Sequence, residues 1–79
     1  MKVAYFVTTG ASDPTRASVP LHLAVNGSAE LNQEVSLILA GDATEILDPK
    51  VRDSLQGLGV PSMKELMDKA RDKGLAVYV

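Results

Sequence analysis

Val3-Ala4-Tyr5-Phe6-Val7, followed by Thr8-Thr9-Gly10, decides the fold. Five apolar residues in succession, β-branched and aromatic, stop at two hydroxyl residues and a glycine. That is the pattern of a strand buried on both faces of a parallel sheet. The signature returns twice. Glu34 to Ala40 contains Val35, Leu37, Ile38 and Leu39 and stops at Gly41-Asp42, and Leu75 to Val79 is the third run.

Helical patterns fill the intervals. Asp13-Pro14 reads as an N-cap followed by proline at the first helical position, where its missing N–H costs nothing. Val19, Leu21, Leu23, Ala24, Val25 and Ala29 carry the apolar stripe to about Leu31. Pro20 lies inside this pattern, so it either kinks the helix or sets its true start. Asp48-Pro49 repeats the cap before a short helix with Val51 and Leu55 on one side, ended by Gly57 and Gly59. Ser62-x-x-Glu65 is a capping box. It opens a helix with Leu66, Met67 and Ala70 on one face, closed by Lys69, Arg71, Lys73 and Gly74. The order β-α-β-α-α-β implies an α/β fold: a parallel sheet with right-handed crossovers and helices on both faces, three layers in all. Residues 57–62 are a connection within one domain.

Length and composition narrow the function. A domain of 79 residues buries only about 60% of the surface its unfolded chain exposes. Its core alone rarely supplies more than roughly 3–5 kcal/mol. Without cysteine, disulfides, thiolate metal sites and Cys-x-x-Cys chemistry are excluded. One histidine makes no His-rich metal centre, and no cofactor or metal is expected. Self-association is then the expected route to stability. The net charge of −2, the three aromatic residues (Tyr5, Phe6, Tyr78) and the lack of a basic stripe argue against a nucleic-acid partner. No apolar run approaches the roughly 20 residues of a membrane span. The amino terminus lacks the long apolar region of a signal peptide, so a cytoplasmic location is expected.

Ligands of open parallel sheets sit outside the carboxyl ends of the strands. Here that edge is formed by Thr8-Thr9-Gly10-Ala11-Ser12-Asp13 and by Gly41-Asp42-Ala43-Thr44. Thr9, Gly10, Ser12, Asp13, Gly41 and Asp42 are therefore candidate ligand-binding residues, and cap-and-turn chemistry is the competing reading. Asp42 follows a strand directly and could pair with Glu45, although nothing in the spacing fixes their geometry. Arg16, in the first helical turn, is placed to meet an anion or to pair with Asp13. His22 is the one side chain whose ordinary titration lies near neutrality. It reads either as a packed helical residue or as part of the ligand site. Neither a P-loop nor a dinucleotide fingerprint is present, and no serine has a triad's base and acid at recognisable spacing. No residue is assigned as catalytic.

The stretch Ala11-Ser12-Asp13-Pro14-Thr15-Arg16 through Val19-Pro20-Leu21-His22-Leu23-Ala24-Val25-Asn26, then Leu39-Ala40-Gly41-Asp42-Ala43-Thr44-Glu45, resembles the DsrE/DsrF-like family. Gly57-x-Gly59-Val60-Pro61-Ser62-Met63-Lys64-Glu65-Leu66 is similar to the same group. The resemblance covers nearly all of the chain. It implies a flavodoxin-like fold, homo-oligomers (trimers or hexamers), and, for some members, intracellular sulfur transfer between protein partners by a cysteine persulfide. In similar proteins the strand matching Leu75–Val79 leads to a loop with the reactive cysteine. This sequence has no thiol to carry over, so no catalytic activity is expected of the chain alone. The expectation is a single domain over residues 1–79, truncated after the third strand. An ending at a UGA codon would account for that, since some DsrE-like proteins carry selenocysteine. The alternative is a short form that completes its sheet by association, a non-catalytic subunit that binds a small molecule or has a structural role.

Overall fold

A computed structural model describes residues 1–79. Strand β1 (Lys2–Val7) leads to helix α1 (Pro14–Leu23), and β2 (Glu34–Leu39) follows. Helices α2 (Pro49–Ser54) and α3 (Met63–Asp72) come next, and then β3 (Ala76–Tyr78). The three strands form one parallel sheet in the order β1-β2-β3. The α/β class and the element order therefore match the sequence reading. No helix is long and apolar enough to cross a membrane.

Helix starts lie where their local chemistry puts them. The Asp13 carboxylate accepts the Arg16 N–H at 3.1 Å, the Asp48 carboxylate accepts the Lys50 N–H at 3.0 Å, and the Ser62 hydroxyl accepts the Glu65 N–H at 3.2 Å. Each supplies an acceptor for a backbone donor that has no partner within its helix. At the other end of α3, the Gly74 N–H donates to the Arg71 carbonyl and the Leu75 N–H to the Ala70 carbonyl, both at 3.0 Å. This pair is a Schellman cap, and Gly74 has the left-handed φ of +71° that it requires.

Pro20 lies within α1, six residues after the helix begins at Pro14, and so does not set its start. The coil continues beyond Leu23 as a wide π turn (Ala24–Ser28) and a tight 3₁₀ turn (Ala29–Leu31), ending at Asn32 in the left-handed region. The helical path thus reaches Leu31, as the apolar stripe implies, with three successive geometries. The Val25 carbonyl in the π turn accepts the Lys73 ammonium at 3.1 Å, which fastens the end of this coil to the end of α3.

One core holds the molecule together. Val7, Val35, Leu37 and Leu39 of the sheet pack against Ala17, Leu21, Ala24 and Val25 of the first coil and against Met63, Leu66 and Ala70 of α3. Ala43, Ile46 and Leu55 close it from the segment after β2. The Tyr5 hydroxyl reaches the Ser28 hydroxyl at 2.6 Å, tying β1 to the coil above it.

Burial along the strands corrects the expectation of helices on both faces. Val35, Leu37 and Leu39 are buried, and Val3, Tyr5 and Val7 turn to the same side. Lys2, Ala4 and Phe6 alternate with them and are exposed. Side chains two apart share a face, so the helices stand on one face only, and two of the three expected layers are present. The other face carries Ala4, Phe6, Ser36, Ile38, Ala76 and Tyr78, which the strand register sets side by side. Phe6 is 67% exposed and Tyr78 58%. β3 lies at the sheet edge as expected, but all three of its residues are exposed, contrary to the inward-packed reading of Leu75–Val79.

Within the core the Ser18 hydroxyl is fully buried and has no hydrogen-bond partner. An unpaired buried hydroxyl is a net cost. Ser18→Ala is expected to raise the unfolding free energy, read from urea titration, by about 1 kcal/mol. A fall of similar size would show that this hydroxyl is satisfied by buried water.

Candidate functional site

β1 and β2 deliver their following loops to the same end of the sheet, and the Ala40 N–H extends the ladder by donating to the Val7 carbonyl at 3.0 Å. The segment after β2 is not an open loop. Gly41–Leu47 winds into a 3₁₀ helix that buries Ala43 and Ile46 and holds its first turn with a Thr44 hydroxyl bond to the Gly41 carbonyl at 2.9 Å. This winding turns Glu45 toward the first loop. Its carboxylate accepts the Ala11 N–H at 2.5 Å. Gly10 is buried beneath it, where a Cβ would lie 2.5 Å from the Asp42 carbonyl oxygen and would also strike the Glu45 carboxylate. The two loops therefore close on one another through Gly10, Ala11, Asp42 and Glu45.

The remaining candidates surround this closure. Asp13 is occupied twice, as the cap of α1 and as an exposed ion pair with Arg16 at 3.5 Å. Thr15 accepts the Leu58 N–H on its hydroxyl at 3.0 Å, which holds the glycine-containing connection against the start of α1. The side chains of Thr9, Ser12 and Asp42 form no hydrogen bond within the chain, so Asp42 and Ser12 stand in solvent and Thr9 is half-buried. A shallow cleft beside this end is lined by Asp13, Thr15, Arg16, Val19 and Pro20. The structure thus brings Thr9, Gly10, Ser12, Asp13, Arg16, Gly41 and Asp42 to one end of the sheet. Glu45 fills the space between the loops.

His22 lies apart from that end. It lines a cleft of about 490 Å³ with Asn26, Pro61, Glu65, Leu66 and Lys69, between α1 and α3. The Lys69 ammonium donates to the Asn26 side-chain oxygen. That bond orients the amide, whose nitrogen then faces His22 Nδ1 at 3.0 Å. An ammonium only donates, so the amide offers its N–H to the ring and His22 Nδ1 accepts. The ring proton is then on Nε2. The cleft presents an imidazole donor, a cation and the Glu65 carboxylate, a set suited to a small molecule with both acceptor and donor groups. The spacing of His22 and Asn26, and of Glu65 and Lys69, is i to i+4 on each helix. Only tertiary packing brings the two pairs together. No group of three or more His, Asp or Glu side chains converges as a metal site would require.

Two carboxyls titrate below their ordinary range. Glu30 is lowered by its hydrogen bond from Lys73 and by the charge of that ammonium. Asp68 is lowered first by its hydrogen bond from Lys64, at 3.0 Å, with the charges of Lys64 and Arg71 adding to it. A carboxyl lowered in the folded chain stabilises the fold above its unfolded value and loses that contribution as pH falls through the folded value. Their contribution to stability is therefore expected to be level above, and to decline once pH passes below, the ordinary values of 4.5 for Glu30 and 3.8 for Asp68. Both groups are exposed, so the decline is small and shrinks with added salt. Urea midpoints measured against pH, for this chain and for Glu30→Gln with Asp68→Asn, check it; identical curves would contradict it.

No family model, curated protein or solved structure matches the chain.

Proposed function

We propose that this chain is a DsrE/DsrF-like protein of the kind that takes part in intracellular sulfur transfer, acting in the cytoplasm as a self-associating subunit through protein contacts. The observation that carries the reading is a pairing of features. The irregular features behind the resemblance, Asp13-Pro14-Thr15-Arg16 and Gly41-Asp42-Ala43, meet at one end of a parallel sheet, while these 79 residues supply no thiol. The reading leaves these residues without their own reactive cysteine, and the exposed Ser12, Arg16 and Asp42 are the groups through which a sulfur-relay protein partner is met. Homo-oligomers, as trimers or hexamers, follow from the same resemblance.

The test reads sulfane sulfur. Purified chain treated with polysulfide is expected to keep its mass. The immobilised chain, mixed with an extract of its own cells, is expected to enrich proteins whose cysteine persulfides take a sulfane-specific tag. Equal enrichment on a chain carrying Arg16→Ala and Asp42→Ala would refute the reading.

A second reading, a subunit that binds a small polar molecule, is favoured by the cleft of His22, Asn26, Glu65 and Lys69. Ligand-induced shifts of the His22 ring resonances, absent in Asn26→Ala, would support it over the first.

A further inference from the structure

The cleft between α1 and α3 keeps its charged groups apart. Glu65 stands one helical turn before Lys69, the order that favours an ion pair on a helix surface, yet no such pair forms. The Lys69 ammonium turns instead to the Asn26 side-chain oxygen, across the cleft on the first coil. Asn26 spends its amide N–H on His22 Nδ1. The Glu65 carboxylate is left with no hydrogen bond or ion pair within the chain, and the His22 Nε2–H has none either. The Lys69 ammonium has donors to spare, since it carries three N–H groups. One cleft thus presents an open acceptor of negative charge, a cation and a neutral donor.

We infer that this cleft binds a small zwitterion of the α-amino acid class, its ammonium on Glu65 and its carboxylate on the Lys69 ammonium and the His22 Nε2–H. The inference rests on the second reading above, a subunit that binds a small polar molecule, and names the class of that molecule. Charge selects the class. A ligand with a carboxylate alone answers Lys69 but lies beside the Glu65 carboxylate. An amine alone answers Glu65 but lies beside Lys69. A like charge brought close, or a charge left unpaired when water is displaced, is a cost, and specificity is built from such costs as much as from attraction. Only a molecule that carries both charges leaves neither protein group unanswered.

Size and surface agree with that class. Residues four apart on a helix have Cβ atoms roughly 5–6 Å from one another, so the two ligand charges must also be close, as they are around one α-carbon. The cleft of about 490 Å³ lies within the usual range for small-molecule sites, roughly 300–1,000 Å³. Pro61 and Leu66 supply its apolar wall, which suits an aliphatic side chain. Asn26 is a positioning residue. It holds the imidazole in one tautomer and the ammonium in one place, so both donors are oriented before the ligand arrives.

The chain has a single histidine, so its ring resonances report on the cleft directly. The probes are leucine and three molecules of the same shape: isocaproate, which lacks the ammonium; isoamylamine, which lacks the carboxylate; and isocaproamide, which is polar but uncharged. An open cleft and a ligand of few atoms put the expected dissociation constant in the millimolar range. Leucine is expected to shift the His22 resonances saturably, and the other three to bind at least about tenfold more weakly. Glu65→Gln is the sharper check, because that side chain bonds to nothing in the chain; circular dichroism verifies its fold. The variant is expected to bind leucine at least about tenfold more weakly and isocaproate more tightly than the unaltered chain does. Any of the three other probes matching leucine would overturn the inference and leave the small-molecule reading standing. Leucine binding unchanged in Glu65→Gln would do the same. A cleft that responds to none of the four would overturn both.

Discussion

Leu37→Ala is expected to leave most of the chain unfolded at 25 °C. Leu37 is fully buried on the central strand, flanked by β1 and β3 and covered by the helices. Truncating a leucine in such a site costs about 3–5 kcal/mol, through lost transfer energy and the cavity left behind. A core of this size supplies roughly the same amount. Far-ultraviolet circular dichroism and urea titration measure the loss. The informative control is Ile38→Ala, one residue further along the same strand on the uncovered face. In dilute chain it is expected to cost no more than about 1 kcal/mol, because that side chain meets only its neighbours within the sheet. Similar losses at Leu37 and Ile38 would contradict a one-sided core.

Gly10→Ala is the second large effect, and it acts at the joined loops. The new Cβ would meet the Asp42 carbonyl oxygen, which is backbone, and the Glu45 carboxylate, which is a movable side chain. Forcing an atom into a filled site costs typically about 1–3 kcal/mol, and here the Ala11 to Glu45 hydrogen bond is disturbed as well. Adding Glu45→Ala is expected to recover only part of the loss, since the backbone obstacle remains. Full recovery in the double variant would mean that Glu45 alone closes the loops. No loss in Gly10→Ala would mean that the loops stand open.

What was legible in the sequence was local. Asp13-Pro14, Asp48-Pro49 and Ser62-x-x-Glu65 mark helix starts because the side chain that caps the helix is adjacent in the chain to the donors it satisfies. Gly74 marks the end of α3 for the same reason. The parallel sheet followed from three apolar runs alternating with helical patterns. The covering of that sheet did not. Ala4, Phe6, Ile38 and Tyr78 are as apolar as the inward residues beside them, and an apolar run shows that a surface avoids water without showing what covers it. The 3₁₀ turn at Gly41–Leu47 was hidden because Gly41, Asp42 and Thr44 are turn-forming residues, and only Ala43 and Ile46, three apart, hint at winding. The candidate site divided along the same line. The residues of the two loops come together because parallel strands must deliver their loops to one edge. His22 falls elsewhere because, beyond its neighbour Asn26 one turn on, the groups that meet it, Glu65 and Lys69, are brought there by the packing of α1 against α3. Glu45, weighed only as a possible partner of Asp42, instead holds the first loop by its backbone.

The account stands on a sheet with a single helical layer and a bare second face. Hydroxyl-radical footprinting of the dilute chain, read by mass spectrometry, tests it directly. Phe6 and Tyr78 are expected to be oxidised readily while Tyr5, against the core, is spared. Protection of Phe6 and Tyr78 in the dilute monomer would contradict the account.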